Sequence, residues 1–136
     1  MTAVRFENVR FSYPSGVEAL HGVSFEVPTG QRLAIVGQNG AGKTTLVRHL
    51  NGIFQPTSGS VYVAATATTG RAIAELAASV GYVFQNPDEQ IFASTVIADV
   101  EFGPRNLGCS ADEARSRAMA ALETVGLAAE ADTHPL

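Results

Sequence analysis

The chain has 136 residues, is 46% hydrophobic and carries a net charge of −4 at pH 7. Such a length is one ordinary domain or part of a larger one; the apolar content excludes wholesale disorder, and the lack of a Lys/Arg block excludes a nucleic-acid surface. Cys109 is alone, which excludes an internal disulfide and fits a reducing compartment, and no apolar run reaches the length of a bilayer span or a signal-peptide core.

In chain order, Val4 and Phe6, then Val9 and Phe11, alternate with polar residues, and Val23, Phe25 and Val27 repeat the pattern. Both stretches predict half-buried strands, paired as antiparallel neighbours. Pro28-Thr29-Gly30 is a turn, and the apolar run over 32–36 predicts a strand in the middle of a parallel sheet. GQNGAGKTT follows from Gly37 to Thr45, and Leu46, Val47 and Leu50 give Lys43 to Asn51 helical spacing, with Gly52 placed as its cap. A loop over 55–59 leads into a short strand around Val61 to Val63. Arg71 to Ser79 has helical spacing at Ile73, Leu76 and Ala77, and Val80 to Phe84 is strand-like until Asn86-Pro87-Asp88 breaks it. Beyond Thr95 the character is helical: Ser110 to Glu113 is a capping box, and Ala114, Ala118, Ala121, Leu122 and Val125 share a face that Gly126 closes. The division is therefore a core over 1–94 and the start of a helical part over 95–136.

Gly37, Gly42, Lys43 and Thr44 complete the pattern G-x-x-x-x-G-K-[ST], with Gln38, Asn39, Gly40 and Ala41 between them and Thr45 after. Glycines let the backbone wrap phosphate oxygens with its N–H groups turned inward, and the following helix presents its positive end to the anion. Lys43 supplies a point charge for the outer phosphates, and Thr44 offers a hydroxyl to Mg²⁺. A Gly-rich turn is the plain alternative; the strand predicted before it and the helix after it favour a loop for a small polyphosphate ligand.

Together with this loop, FENVRFSYPSG and VGYVFQNPDEQ make the chain resemble, over its whole length, the ATPase subunit of an ATP-binding cassette transporter. The resemblance implies an α/β fold of the P-loop nucleotide hydrolase type, with an N-terminal antiparallel β part, the start of a helical subdomain, and ATP and Mg²⁺ as ligands. It implies that the ring of Tyr13 stacks on adenine, although the sequence alone allows an ordinary half-exposed aromatic at a strand end. It also implies that Gln85 reaches toward Mg²⁺ and the attacking water, which makes Lys43 and Gln85 the catalytic candidates. An amide suits that place, because it accepts from water and donates to a phosphate oxygen without carrying charge.

NPDEQIFASTVIADVEFGPRNLG narrows the resemblance to the ATPases of energy-coupling-factor importers, the cobalt, nickel and vitamin group. Implied with it are a transmembrane coupling subunit, a second ATPase subunit arranged head to tail, and a peripheral place on the cytoplasmic face of the membrane. Gln90, Ile91 and Phe92 become the partner-docking candidates. Ile91 and Phe92 read equally as a surface spot for a partner helix or as core packing. The same stretch, and the lack of a coiled-coil insertion, count against a soluble repair ATPase of that superfamily.

Two departures from the family pattern follow. YVAATATTGR, from Tyr62 to Arg71, lacks the Asp-Gly turn common in relatives and predicts a looser loop there. The LSGGQ signature, the Mg²⁺-binding aspartate, the catalytic glutamate and the switch histidine do not occur in residues 1–136, and His21, His49 and His134 lie in none of those motifs. A full-length subunit would hydrolyse ATP, whereas these residues are expected to hold nucleotide without turnover, and the apolar run over 33–36 is expected to lack a pairing neighbour. A non-catalytic binding module or a non-functional fragment is the alternative.

Overall fold

A computed structural model describes residues 1–136, which divide into two compact units, Met1–Tyr82 and Val83–Leu136. The first unit is built on an antiparallel sheet of β1 (Thr2–Ser12), β2 (Glu18–Pro28), β3 (Ser58–Val63) and β4 (Thr66–Ala67), ordered β2-β1-β3-β4. Two short helices, α1 (Lys43–Val47) and α2 (Ile73–Ala77), complete it. Phe6, Val9, Phe11, Leu20 and Val61 form its buried core, with Phe6 stacked on Phe25 at 4.7 Å.

The apolar positions of β1 change phase between Phe6 and Val9, and a strict two-residue alternation cannot put both on one face. A bulge reconciles them. Asn8 takes a left-handed φ of 46°, and the ladders to β2 and β3 both shift register across this point. The Asn8 N–H is satisfied by Ser24 Oγ at 2.8 Å. Across the bulge, a Cβ at Gly59 would collide with the carbonyls of Glu7 and Asn8, so only glycine fits there.

Four segments depart from the sequence expectations. Residues 32–36 form no strand: Leu33, Ile35 and Val36 are 55%, 40% and 88% exposed, and no strand lies alongside to complete a ladder. The same holds for 80–84, which is irregular. Apolar content prepares a strand, but only a hydrogen-bonded neighbour makes one. In place of a loose loop between β3 and β4, Ala64 and Ala65 make a two-residue turn with φ of 46° and 64°, closing Val63 onto Thr66. The Ala64 N–H donates to the Ala3 carbonyl at 2.9 Å, so β1 holds the turn in place. The helix expected to reach Asn51 keeps α-helical form only to Val47; bonds from the His49 and Leu50 amides to Leu46 and Val47 tighten the next turn, and Gly52, at φ 79°, ends it.

The second unit packs α3 (Val96–Asn106) on α4 (Ala111–Thr124) around Ile97, Ala118, Leu122 and Ala131. Thr95 caps α3 by accepting from the Ala98 N–H, and the N–H groups of Val96 and Ile97 donate to the carbonyls of Thr133 and Ala131. All three bonds serve first-turn donors that have no partner inside the helix. Ser110 caps α4 as expected, but Glu113 pairs with Arg117 at 2.8 Å. Ala114, Ala118 and Leu122 of the expected face are buried, whereas Ala121 and Val125 are exposed. Glu101 is buried on α3 and bridges Arg105 at 2.9 Å and Arg115 of α4 at 3.3 Å, so neither carboxylate oxygen is left without a charged partner. No helix is long and apolar enough to cross a membrane.

Candidate nucleotide site

The loop from Gly37 to Thr44 lies on the first unit, between the irregular apolar run and α1. Gly40 and Gly42 have φ of 85° and 93°, which turn the backbone out of the range other residues prefer. They differ in surroundings. A Cβ at Gly40 would meet open space, whereas one at Gly42 would stand 2.9 Å from the Ala19 carbonyl oxygen on β2. At Gly37 a Cβ would lie 3.2 Å from that of Ala41.

Gly37, Gln38, Asn39, Gly40, Ala41 and Thr44 are exposed, Gly42 and Lys43 half-buried, and Thr45 buried. Among the amides of this loop only that of Ala41 donates to a backbone carbonyl, that of Gln38 at 3.1 Å. The Lys43 ammonium folds over the loop and donates to the carbonyls of Gly37 at 2.7 Å and Gln38 at 2.8 Å. It thus holds a positive charge against a loop rich in free amides, an arrangement that suits an anion with several oxygens.

Tyr13 ends the approach from β1, in a turn closed by its N–H donating to the Val17 carbonyl at 2.9 Å. Its ring is half-buried, edge-on to Phe11 and Phe54, and its hydroxyl shares a 2.6 Å hydrogen bond with Thr45 Oγ1. On the next turn, fully buried His49 donates from Nδ1 to the Thr45 carbonyl at 2.7 Å. That bond fixes the tautomer, and Nε2 is left buried without a partner. Burial holds His49 below the usual histidine pKa, against the pull of the Thr45 carbonyl, so the ring is neutral. Sequence reasoning named Tyr13 and Thr45 but missed that Phe11, His49 and Phe54 gather around them. The four-residue step from Thr45 to His49 was the one legible sign of that gathering.

The remaining candidates lie on the second unit. Gln85 is exposed, just ahead of a single 3₁₀ turn over Pro87–Glu89 that Asn86 caps through Oδ1 to the Asp88 N–H. Gln90 accepts from the Phe84 N–H at 3.3 Å. Ile91 is half-buried, and Phe92 is 64% exposed with its ring edge-on to Phe102 at 4.6 Å. One carboxylate oxygen of Asp99 accepts from the N–H groups of both Phe92 and Ala93 at 3.0 Å, which anchors the segment to α3. The fold therefore joins Tyr13 to Thr45, just past the Gly37–Thr44 loop, and Phe92 to α3.

The family described as "ABC transporter" matches residues 20–135. The chain is 46% identical to the energy-coupling factor transporter ATP-binding protein EcfA of Methanosphaera stadtmanae, over 98% of this chain and 49% of that protein. It is 44% identical to EcfA1 of Methanospirillum hungatei, over 93% of this chain and 46% of that protein. It thus spans about half the length of these relatives. Among solved structures, cbiO1 of Clostridium perfringens, part of the transporter complex cbiONQ, superimposes with a TM-score of 0.84 at 35% identity, over 98% of this chain and 54% of that one. A dimeric post-hydrolysis ATP-binding cassette, MJ0796 bound to ADP and Pi, gives a TM-score of 0.78 at 29% identity, over 97% of this chain and 61% of that one.

Proposed function

The chain belongs to the ATP-binding cassette transporter family, with the fold of that family's ATPase domain, and on that premise we propose that it binds MgATP as part of the ATPase subunit of an energy-coupling-factor type importer. The observation that carries this reading is the loop from Gly37 to Thr44, whose amides other than that of Ala41 donate to no backbone carbonyl, with the Lys43 ammonium held over it by two carbonyls. When a triphosphate arrives, Lys43 exchanges those carbonyls for phosphate oxygens. The exchange is favourable because a charge-assisted bond to an anion is stronger than one to a neutral carbonyl.

Thr44 adds an exposed hydroxyl beside this charge. No group of three or more His, Cys, Asp or Glu side chains is placed to hold a metal ion. The donors fit a hard cation that comes in on phosphate oxygens and water, with Thr44 adding one oxygen; bound there, Mg²⁺ neutralises charge on the outer phosphates. In this reading Tyr13 meets the base and Gln85 senses the γ-phosphate. Gln90, Ile91 and Phe92 face a transmembrane coupling subunit, a second ATPase subunit completes a head-to-tail dimer on the cytoplasmic face of the membrane, and the cargo is a metal ion or vitamin. Support comes from the EcfA relatives and from the exposed Phe92–Phe102 pair.

The test is titration with a fluorescent ATP analogue. Lys43→Ala should reduce affinity at least tenfold, since the outer phosphates lose their one mobile cation. Equal affinity in parent and variant would remove the phosphate-loop reading.

A further inference from the structure

We infer that Tyr13 is a positioning residue for the phosphate loop, acting through Thr45 whether or not the ligand carries a base. This rests on the reading of Gly37–Thr44 as a phosphate loop. Helix α1 has only five residues, no side-chain cap at its start and no acidic residue in its first turn. A helix that short does not hold its own geometry in water, so tertiary contacts must set the direction in which Lys43 and Thr44 project.

Thr45 is the one buried residue of α1, and it is fixed at both ends: its hydroxyl by Tyr13 at 2.6 Å and its carbonyl by His49 at 2.7 Å. A threonine in a helix ordinarily turns its hydroxyl to a carbonyl one turn back, which here would be Ala41 within the loop. The bond to Tyr13 takes that hydroxyl away from the loop and locks the rotamer. Phe11 and Phe54 hold the phenol in turn, with Phe11 edge-on to Tyr13 and His49 alike at 5.0 Å and stacked on Phe54 at 4.8 Å. The turn bearing Lys43 and Thr44 is thereby tied to the end of β1, 32 residues earlier in the chain.

The test measures how well inorganic tripolyphosphate and ATP each displace a fluorescent ATP analogue from the full chain. Tyr13→Phe keeps the ring and removes the hydroxyl. It should weaken both ligands by the same factor, about three- to tenfold, as expected for one lost net hydrogen bond. Thr45→Ser, which keeps the hydroxyl, should lose less affinity than Thr45→Val, whereas Tyr13→Phe combined with Thr45→Val should lose no more than Thr45→Val alone, because both changes break one bond. Tripolyphosphate affinity unchanged in Tyr13→Phe would overturn the inference. So would losses that multiply in the double variant, or a lowered melting temperature with both affinities intact. A parent chain that binds no tripolyphosphate would instead overturn the phosphate-loop reading, and this inference with it.

Discussion

Gly40 and Gly42 offer a paired test, since both have left-handed backbone but only one is crowded. Gly40→Ala places a Cβ in open space, so the cost is conformational, about 1–2 kcal/mol if φ stays near 85°. The loop around it is exposed and can relax, which moves the cost from folding to binding: on the proposed reading the amides turn away from the ligand, and nucleotide affinity should fall by about five- to thirtyfold. Gly42→Ala carries the same conformational cost and also drives a Cβ to 2.9 Å from the Ala19 carbonyl and 3.4 Å from Leu20 Cδ2. Ala19 and Leu20 belong to β2, paired with β1, and Leu20 is in the core, so neither yields cheaply. Overpacking of this kind adds about 1–3 kcal/mol. The assay is urea unfolding followed by circular dichroism, run beside the nucleotide titration. Gly42→Ala should lose both stability and affinity, and Gly40→Ala chiefly affinity. If Gly40→Ala lowers the unfolding midpoint as far as Gly42→Ala does, contact with β2 is not what distinguishes the two positions.

Two further outcomes follow from other parts of the first unit. Ala64→Asn with Ala65→Gly should stabilise the chain by about 1 kcal/mol, because both positions have positive φ and a two-residue hairpin turn of this kind favours Asn-Gly; a falling melting temperature would count against the turn. Folded His49 has a lowered pKa, so the unfolded chain takes up the proton first as pH drops. Its contribution is complete above about 6.5 and is lost below that at up to about 1.4 kcal/mol per pH unit. Unfolding midpoints between pH 7.5 and 5 should therefore fall more steeply in the parent than in His49→Gln, and parallel profiles would show that the ring is not buried neutral.

The features legible in the sequence were those whose cause lies within a few residues. Glycines at Gly40 and Gly42 beside Lys43 mark a loop with positive φ and a charge over it; alternation marks β1 and β2; Ser110 marks the start of α4 by the bond it can make three residues on. Tertiary structure decided whatever needed a partner far along the chain. The apolar run over 32–36 is a strand only if another strand lies beside it, and nothing within the run can say whether one does. The stretch from Tyr62 to Arg71, which lacks an Asp-Gly turn, predicted a looser loop, but the pairing of Val63 with Thr66 and the bond to Ala3 close a tight turn there. Tyr13 could be read from the sequence as an aromatic near a nucleotide. That its hydroxyl reaches Thr45, while His49 holds the same residue from behind, depends on β1 and α1 meeting across one core, and burial free energy rather than local propensity brings them together.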